Sequence, residues 1–120
     1  MAARQLAVLA IGGNALIRDR EHESIPDQYE MVTRIAVEIA GMIEAGWNVV
    51  VTHGNGPQVG FILRRSEISI EEVPPVPMDY AGADIQGAVG WMFVRALRNE
   101  FRRRRMRREA VAVVTQTLVD

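Results

Sequence analysis

Two glycine-rich segments hold the residues whose types and spacing could do chemistry. The first is Gly12–Asn14, with the sequence GGN, and the second is His53–Gly60, with the sequence HGNGPQVG. Glycine has no Cβ, so the backbone can approach an anion closely, and successive N–H groups then form a concave set of donors. Asparagine amides add neutral donors with little bulk. The pattern predicts an oxyanion site in which both segments hold one phosphate group.

A purely structural interpretation competes with this one. A Gly-Gly pair after a strand is commonly just a tight turn, so Gly12–Gly13 alone carries little weight. The second segment carries more, because three glycines and Pro57 fall between Gly54 and Gly60, which exceeds what a connection needs. Neither segment matches the G-x-x-x-x-G-K-[ST] or G-x-G-x-x-G pattern, so the common nucleotide-binding loops do not account for these glycines.

The elements before each segment predict that the two lie side by side. Leu6–Ile11 and Trp47–Thr52 are short apolar runs, typical of buried strands in a parallel sheet. Between them, apolar residues at helical spacing predict a helix from about Asp27 to Ala45, with Gly46 just past its end. Ligands of parallel sheets bind at the carboxyl ends of the strands, where both segments begin.

The remaining elements extend the α/β order. The sequence predicts a helix at Gln58–Arg65, a proline-rich loop, a long helix from an N-cap at Asp79 to about Arg105, and a third strand at Ala110–Thr115. Strands alternating with helices predict a layered sheet with right-handed crossovers. Because Asp120 follows a strand that no helix covers, the chain is expected to be part of a larger domain.

The long helix has two apolar faces and a basic end. A helix that is apolar nearly all round is expected to be buried on both sides, by its own subunit or by a second one. One stripe is Ile85, Val89, Met92 and Ala96, and the other is Trp91, Val94 and Phe101. Arginines at 102–105, 107 and 108 are interpreted as a solvated last turn whose cations complement the helix dipole, rather than as a nucleic-acid site.

Composition excludes several classes of function. The chain has 120 residues and a net charge of −1, so it has no overall attraction for nucleic acid or anionic membranes. It has no cysteine, and its histidines, His22 and His53, lack partners at metal-ligand spacing, so no metal site is expected. His53 is expected to shape its turn rather than carry protons. No apolar run is long enough to span a membrane. All 14 basic residues are arginine, so no lysine amine can act on a phosphate here.

The segments that carry these features resemble the carbamate kinases, in family order along nearly the whole chain. Ala10–Leu16 resembles their first strand and loop, and Thr52–Gly60 is similar to their most recognisable internal motif. Asp79–Ala83 with Gln86–Met92 resembles their central helix, and Val114–Asp120 the strand and turn that follow it. The chain is identified as the amino-terminal portion of a member of this group, within the amino acid kinase family.

The resemblance implies a fold, a reaction and a site. The fold would be a three-layer α/β/α Rossmann-like sandwich with a mainly parallel sheet, of which residues 1–120 are part of the carbamoyl-phosphate-binding domain. The reaction would be reversible phosphoryl transfer from carbamoyl phosphate to ADP, giving ATP and carbamate. The implied substrate-binding residues are Gly12, Gly13, Asn14, Gly54, Asn55 and Gly56, with catalytic roles for Asn14 and Asn55. Many other amino acid kinases carry lysine where Ala10 stands, and carbamate kinases do not, which favours the latter.

The resemblance also implies what this chain lacks. The family's lysines and its nucleotide-binding domain lie beyond the equivalent of Asp120, so the chain alone is expected to be inactive. The complete enzyme would use ATP or ADP with Mg²⁺, with none bound tightly by this chain. A homodimer paired through the long helix, a cytoplasmic location and a role in arginine metabolism are further implications. Two alternatives remain: an incomplete or split subunit that keeps the anion pocket and the dimer helix, and a related kinase of another small acid, which His53–Gly60 disfavours.

Overall fold

A computed structural model describes residues 5–120; residues 1–4 of the predicted domain lie outside this range. The described elements are β1 (Leu6–Ile11), a 3-10 helix (Gly13–Leu16), α1 (Ile25–Glu44), β2 (Asn48–His53), α2 (Gly56–Ile68) and α3 (Met78–Arg103). Within residues 5–120, no helix is long and apolar enough to span a membrane.

The two strands pair in parallel, as predicted. Their register runs from Leu6 opposite Asn48 to Ile11 opposite His53. The strands therefore end at the same edge of the sheet, β1 directly before Gly12 and β2 at His53, the first residue of the second segment. The α/β fold class with a parallel sheet is confirmed.

Local capping fixes the ends of α1. The N-cap is Ser24, whose hydroxyl accepts from the N–H of Asp27 while the Asp27 carboxylate accepts from the N–H of Ser24. This capping box starts α1 at Ile25, two residues before the predicted start. Gly46 follows the C-cap with φ of +99°, as predicted for a residue that ends a helix in the left-handed conformation.

The core lies between the sheet, α1 and α3. The predicted first stripe of α3 is buried, and it packs in one cluster with Leu16 and the stripe Val32, Ala36 and Ile39 of α1. Leu9 and Val51 pack against this cluster from the sheet. The apolar patterns of both helices therefore located the core correctly.

The predicted full burial of the two strands is not found within this chain. The strands alternate between partly buried and exposed residues: Leu6 is 62% exposed, Val8 63% and Val50 46%. The reason is that α1 and α3 pack on one face of the sheet, and no described element covers those three side chains. On α3, Trp91 is 57% exposed and Phe101 is buried, so residues 5–120 cover the second apolar face only in part, and its burial by a second subunit stays a prediction.

The predicted third strand does not form. Residues 110–115 have no regular secondary structure and run beside α3. Gln86 fixes this segment, because its amide donates to the carbonyl oxygen of Thr115 (3.1 Å) and accepts from the N–H of the same residue (2.8 Å). A cavity of about 470 Å³, lined by both β2 and this segment, lies between them, so the segment has no strand beside it to complete a ladder.

Both ends of α3 lie two residues before the predicted ones. Pro77 is the N-cap and α3 begins at Met78, so the predicted N-cap Asp79 lies in the first turn, where its carboxylate accepts from the N–H of Tyr80 (2.9 Å). At the other end α3 stops at Arg103 rather than near Arg105.

The basic end of α3 is only partly solvated, which corrects the expectation for that run. The Arg104 side chain is 17% exposed and links the two long helices. It donates to Glu100 Oε1 (2.6 Å), Glu44 Oε2 (2.5 Å) and the carbonyl oxygen of Val37 (2.9 Å). Hydrogen bonds first from Arg103 and then from Arg104 lower the pKa of Glu100 to about 2. Arg104 therefore stabilises the packing of α3 on α1, while Arg103 pairs with Glu100 within α3.

Candidate oxyanion site

The two glycine-rich turns are in contact. The N–H of Gly54 donates to the carbonyl oxygen of Ile11 at 2.8 Å, which extends the ladder by one bond past the strands. A Cβ added at Gly54 would lie 3.0 Å from the backbone nitrogen of Gly13. A Cβ added at Gly13 would lie 2.8 Å from Gln58 Oε1 and 3.2 Å from the nitrogen of Gly56. A side chain at 13 or 54 would therefore crowd the contact between the two turns.

Gly12 and Gly56 differ from that pair. A Cβ added at either would meet no atom of the described chain within 4 Å. Gly12 has φ of −64° and ψ of 148°, which any residue can adopt. Packing and backbone conformation therefore leave these two glycines unexplained, and open space in front of a backbone is what an approaching ligand requires.

Backbone donors collect where the turns meet. Within residues 5–120, the N–H groups of Gly13, Asn14, Asn55 and Gly56 donate to no protein acceptor. Gly56 begins α2, so the positive end of that 13-residue helix lies beside the first turn. Free N–H groups and a helix N-terminus together suit an anion.

The two asparagines predicted to be catalytic flank these donors. Asn55 is the N-cap of α2, yet its side chain makes no capping hydrogen bond. Its φ of −146° lies outside the left-handed region, so the turn does not need asparagine for conformational reasons. Asn14 is exposed on the 3-10 helix. Both amides are thus available to a ligand.

His53 has the structural role that was predicted. Its Nδ1 lies 2.9 Å from the carbonyl oxygen of Gly54, at which the N–H tautomer donates. The ring therefore supports the second turn.

Two buried glutamines belong to the site and were missed. Gln58 and Gln28 are each 4% exposed. The Nε2 of Gln58 donates to the carbonyl oxygen of Gly13 and to Gln28 Oε1, both at 3.1 Å. In turn, Gln28 donates to the carbonyl oxygen of Glu23 at 2.9 Å. Glutamine is usually exposed, and nothing in the local pattern marks these two as buried.

No metal site is built into the described part of the chain. Within residues 5–120, no three histidine, cysteine, aspartate or glutamate side chains are placed to hold a metal ion. The donors at the two turns are backbone N–H groups and asparagine amides, which are neutral and suit the binding and orientation of an anion.

Comparison with known proteins places this geometry in a family. The model of the amino acid kinase family matches residues 5–119. The chain belongs to the amino acid kinase family. It is 46% identical over 115 residues to the carbamate kinase of Pyrococcus horikoshii, an alignment that covers 94% of this chain and 37% of the relative. It is 43% identical over 119 residues to the carbamate kinase-like protein YahI of Escherichia coli, covering 98% of this chain and 37% of that protein.

A solved structure agrees with the sequence relatives. The carbamate kinase of Giardia lamblia bound to AMP-PNP superposes with a TM-score of 0.93 at 38% identity, covering 100% of this chain and 42% of that one. The resemblance to carbamate kinases and the amino acid kinase fold are thereby confirmed. This family member spans about 37% of the length of these curated relatives, in their amino-terminal part.

Proposed function

We propose that this chain forms the carbamoyl phosphate side of the active site of a carbamate kinase. The reaction is reversible transfer of a phosphoryl group from carbamoyl phosphate to ADP, giving ATP and carbamate. The observation that carries the proposal is the contact between the two glycine turns, because it brings free N–H groups of Gly13 and Gly56 to one place. Similarity to carbamate kinases supports the choice of substrate.

In this proposal the chain binds and orients the group that moves. Phosphoryl transfer depends on positioning and on stabilising charge spread over the equatorial oxygens, with little covalent work for the protein. Backbone N–H groups and the amides of Asn14 and Asn55 donate to those oxygens, and the N-terminus of α2 adds its partial positive charge. Gly12 and Gly56 leave room for the substrate to come close.

Nucleotide and metal belong to the proposal for the complete protein. ATP or ADP would bring the second phosphate group, and Mg²⁺ would supply positive charge between the two anions. Within residues 5–120, no three histidine, cysteine, aspartate or glutamate side chains are placed to hold Mg²⁺. The homodimer is supported by the exposed rings of Tyr80 and Trp91 on α3. A cytoplasmic location and a part in arginine metabolism stay predictions from the resemblance.

The test is a titration of the isotopically labelled chain with carbamoyl phosphate and with inorganic phosphate, followed by NMR. We expect the amide signals of both turns, Asn14 and Gly56 among them, to move together with one dissociation constant. Gly12→Ala should weaken binding, since its Cβ enters open space at the site, while leaving thermal stability unchanged. Gly82→Ala is the matched control. A Cβ added at Gly82 also has no atom within 4 Å, and Gly82 belongs to α3 rather than to either glycine turn. Shifts confined to one turn, or none, would refute the proposal.

An alternative is that this chain binds the anion but does not catalyse transfer by itself. The donors at the two turns favour this for the isolated chain, because backbone N–H groups and asparagine amides are neutral and cannot balance the charge of two anionic substrates. A coupled assay for ATP formed from carbamoyl phosphate and ADP distinguishes the two. Turnover by the purified chain, free of host enzyme, would contradict the alternative, and binding without turnover would support it.

A further inference from the structure

A bridge of two buried amides fixes one peptide group of the first turn. Gly13 and Glu23 present carbonyl oxygens at the two ends of the bridge, and a carbonyl oxygen only accepts. Gln28 must therefore turn its NH₂ group toward Glu23 and its Oε1 toward Gln58. Gln58 in turn must present its NH₂ group to Gln28 and to Gly13. The orientation of both amides follows from the network.

The bridge has an effect on Asn14. In a planar trans peptide the C=O and N–H groups point in opposite directions. The carbonyl oxygen of Gly13 points inward to the buried Gln58, so the N–H of the next residue, Asn14, points away from the core. Asn14 is exposed, and its N–H has no acceptor within residues 5–120. The bridge thus acts together with the 3-10 helix that begins at Gly13 to hold a free donor outward at the first turn.

The same glutamine has an unsatisfied atom. Gln58 Oε1 is the one fully buried side-chain oxygen or nitrogen without a hydrogen-bond partner in residues 5–120. It faces the Cα of Gly13, since a Cβ there would lie only 2.8 Å away, and a Cα–H group is at best a weak donor. A buried acceptor without a partner destabilises the folded state. Packing alone would be served better by an apolar side chain, so the glutamine needs another reason.

We propose that Gln58, backed by Gln28, is a positioning residue of the oxyanion site. It holds the Gly13 peptide in the orientation that presents the N–H of Asn14 to the bound phosphoryl group. Gln28 stands in the first turns of α1 and Gln58 in the first turn of α2, so the bridge also joins the beginnings of both helices to the first turn. The inference rests on the proposed function and names residues that support its donors without touching substrate.

The experiment compares the chain with its Gln58→Met variant, which keeps the volume and loses the donor. Ser66→Ala is the matched control, because Ser66 is buried on the same helix and accepts from the N–H of Val76 at 2.7 Å. Eight residues of helix place it about 12 Å from Gln58. Amide NMR spectra are recorded first without ligand and then with inorganic phosphate, and thermal unfolding is followed in parallel.

Without ligand, Gln58→Met should move the Asn14 amide signal, and Ser66→Ala should not. With phosphate, Gln58→Met should weaken binding about two- to tenfold, which corresponds to one net hydrogen bond, and Ser66→Ala should bind as the unaltered chain does. If Gln58→Met lowers thermal stability while the Asn14 signal and the phosphate affinity stay unchanged, Gln58 only packs the core and the inference is wrong.

A second variant and the ligand-free spectra cover the two cases in which the first comparison would not suffice. Should Gln58→Met fail to fold, Gln28→Met removes only the support behind Gln58, and it should move the Asn14 signal in smaller measure; an unmoved signal would overturn the inference. Should the unaltered chain bind neither phosphate nor carbamoyl phosphate, the proposed function fails. The ligand-free comparison then still decides whether Gln58 orients the Gly13–Asn14 peptide.

Discussion

Replacing Asn55 by alanine separates binding from stability at this site. An asparagine N-cap usually stabilises a helix through a side-chain hydrogen bond, and its loss costs about 0.5–2 kcal/mol. Asn55 makes no such bond, and its φ of −146° suits alanine as well. We therefore expect Asn55→Ala to lower the free energy of unfolding by less than about 0.5 kcal/mol, the usual range for a surface change.

The loss of binding should be larger. A hydrogen bond to a charged group contributes about 1.5–3 kcal/mol, so the variant should bind phosphate about ten- to 150-fold more weakly. Calorimetric titration with inorganic phosphate measures the affinity, and urea unfolding measures the stability. A variant that loses about 1 kcal/mol or more of stability and binds phosphate as before would show that Asn55 acts in the turn and refute this reasoning.

Asn55→Asp sharpens the same test. The carboxylate has nearly the shape of the amide and is favourable at a helix N-terminus, so the stability of the chain should stay the same or rise by a few tenths of a kcal/mol. Phosphate binding should fall at least as far as in Asn55→Ala, because a negative charge then faces the anion. Stability and affinity are thus expected to change in opposite directions, which a purely structural role for Asn55 does not predict.

Two further predictions concern the turns and the end of α3. Gly54→Ala should lower the free energy of unfolding in urea by about 1–3 kcal/mol, since its Cβ would lie 3.0 Å from the backbone nitrogen of Gly13. Gly12→Ala should leave that free energy unchanged, because its Cβ would meet no atom within 4 Å. Equal stabilities of the two variants would contradict the contact between the turns. Glu100 has a folded-state pKa of about 2, below its usual value of 4.5, so its ion pairs with Arg103 and Arg104 stabilise the fold fully above pH 4.5 and are lost as the pH falls toward 2. Unfolding of the Glu100→Gln variant should therefore depend less on pH between those values, and an unchanged slope would argue against these ion pairs.

The sequence predicted the fold wherever local pattern and tertiary contact agree. The apolar runs of β1 and β2 and the helical stripe of α1 all found the expected neighbours. Residues 110–115 have the same β-branched, apolar character and form no strand. A strand forms only where its backbone can hydrogen-bond to a neighbouring strand. The β-propensity of a residue mostly reflects how its side chain packs within such a sheet. Across the cavity from β2 the segment has no such neighbour, so its composition alone was misleading.

The sequence predicted that the two turns meet, but not all of the contacts that hold them together. The glycine spacing located both turns and correctly predicted that they meet. The spacing could not show that Asn55 lies outside the left-handed region, because asparagine adopts both left-handed and extended conformations. Nor could it show Gln58 and Gln28, since the burial of a glutamine is decided by contacts between residues that are 30 or more positions apart, such as Gln58 with Gln28 and with Gly13.

The glycines of the two turns meet two different requirements that a sequence pattern cannot separate. Gly13 and Gly54 are needed because each turn occupies the space in which a Cβ of the other would lie. Gly12 and Gly56 have no such neighbour, and for them only an approaching ligand would exclude a side chain. The first pair brings the donors together and the second leaves access to them. We therefore expect alanine to impair folding at 13 and 54, and, if the proposed oxyanion site is correct, to impair anion binding at 12 and 56.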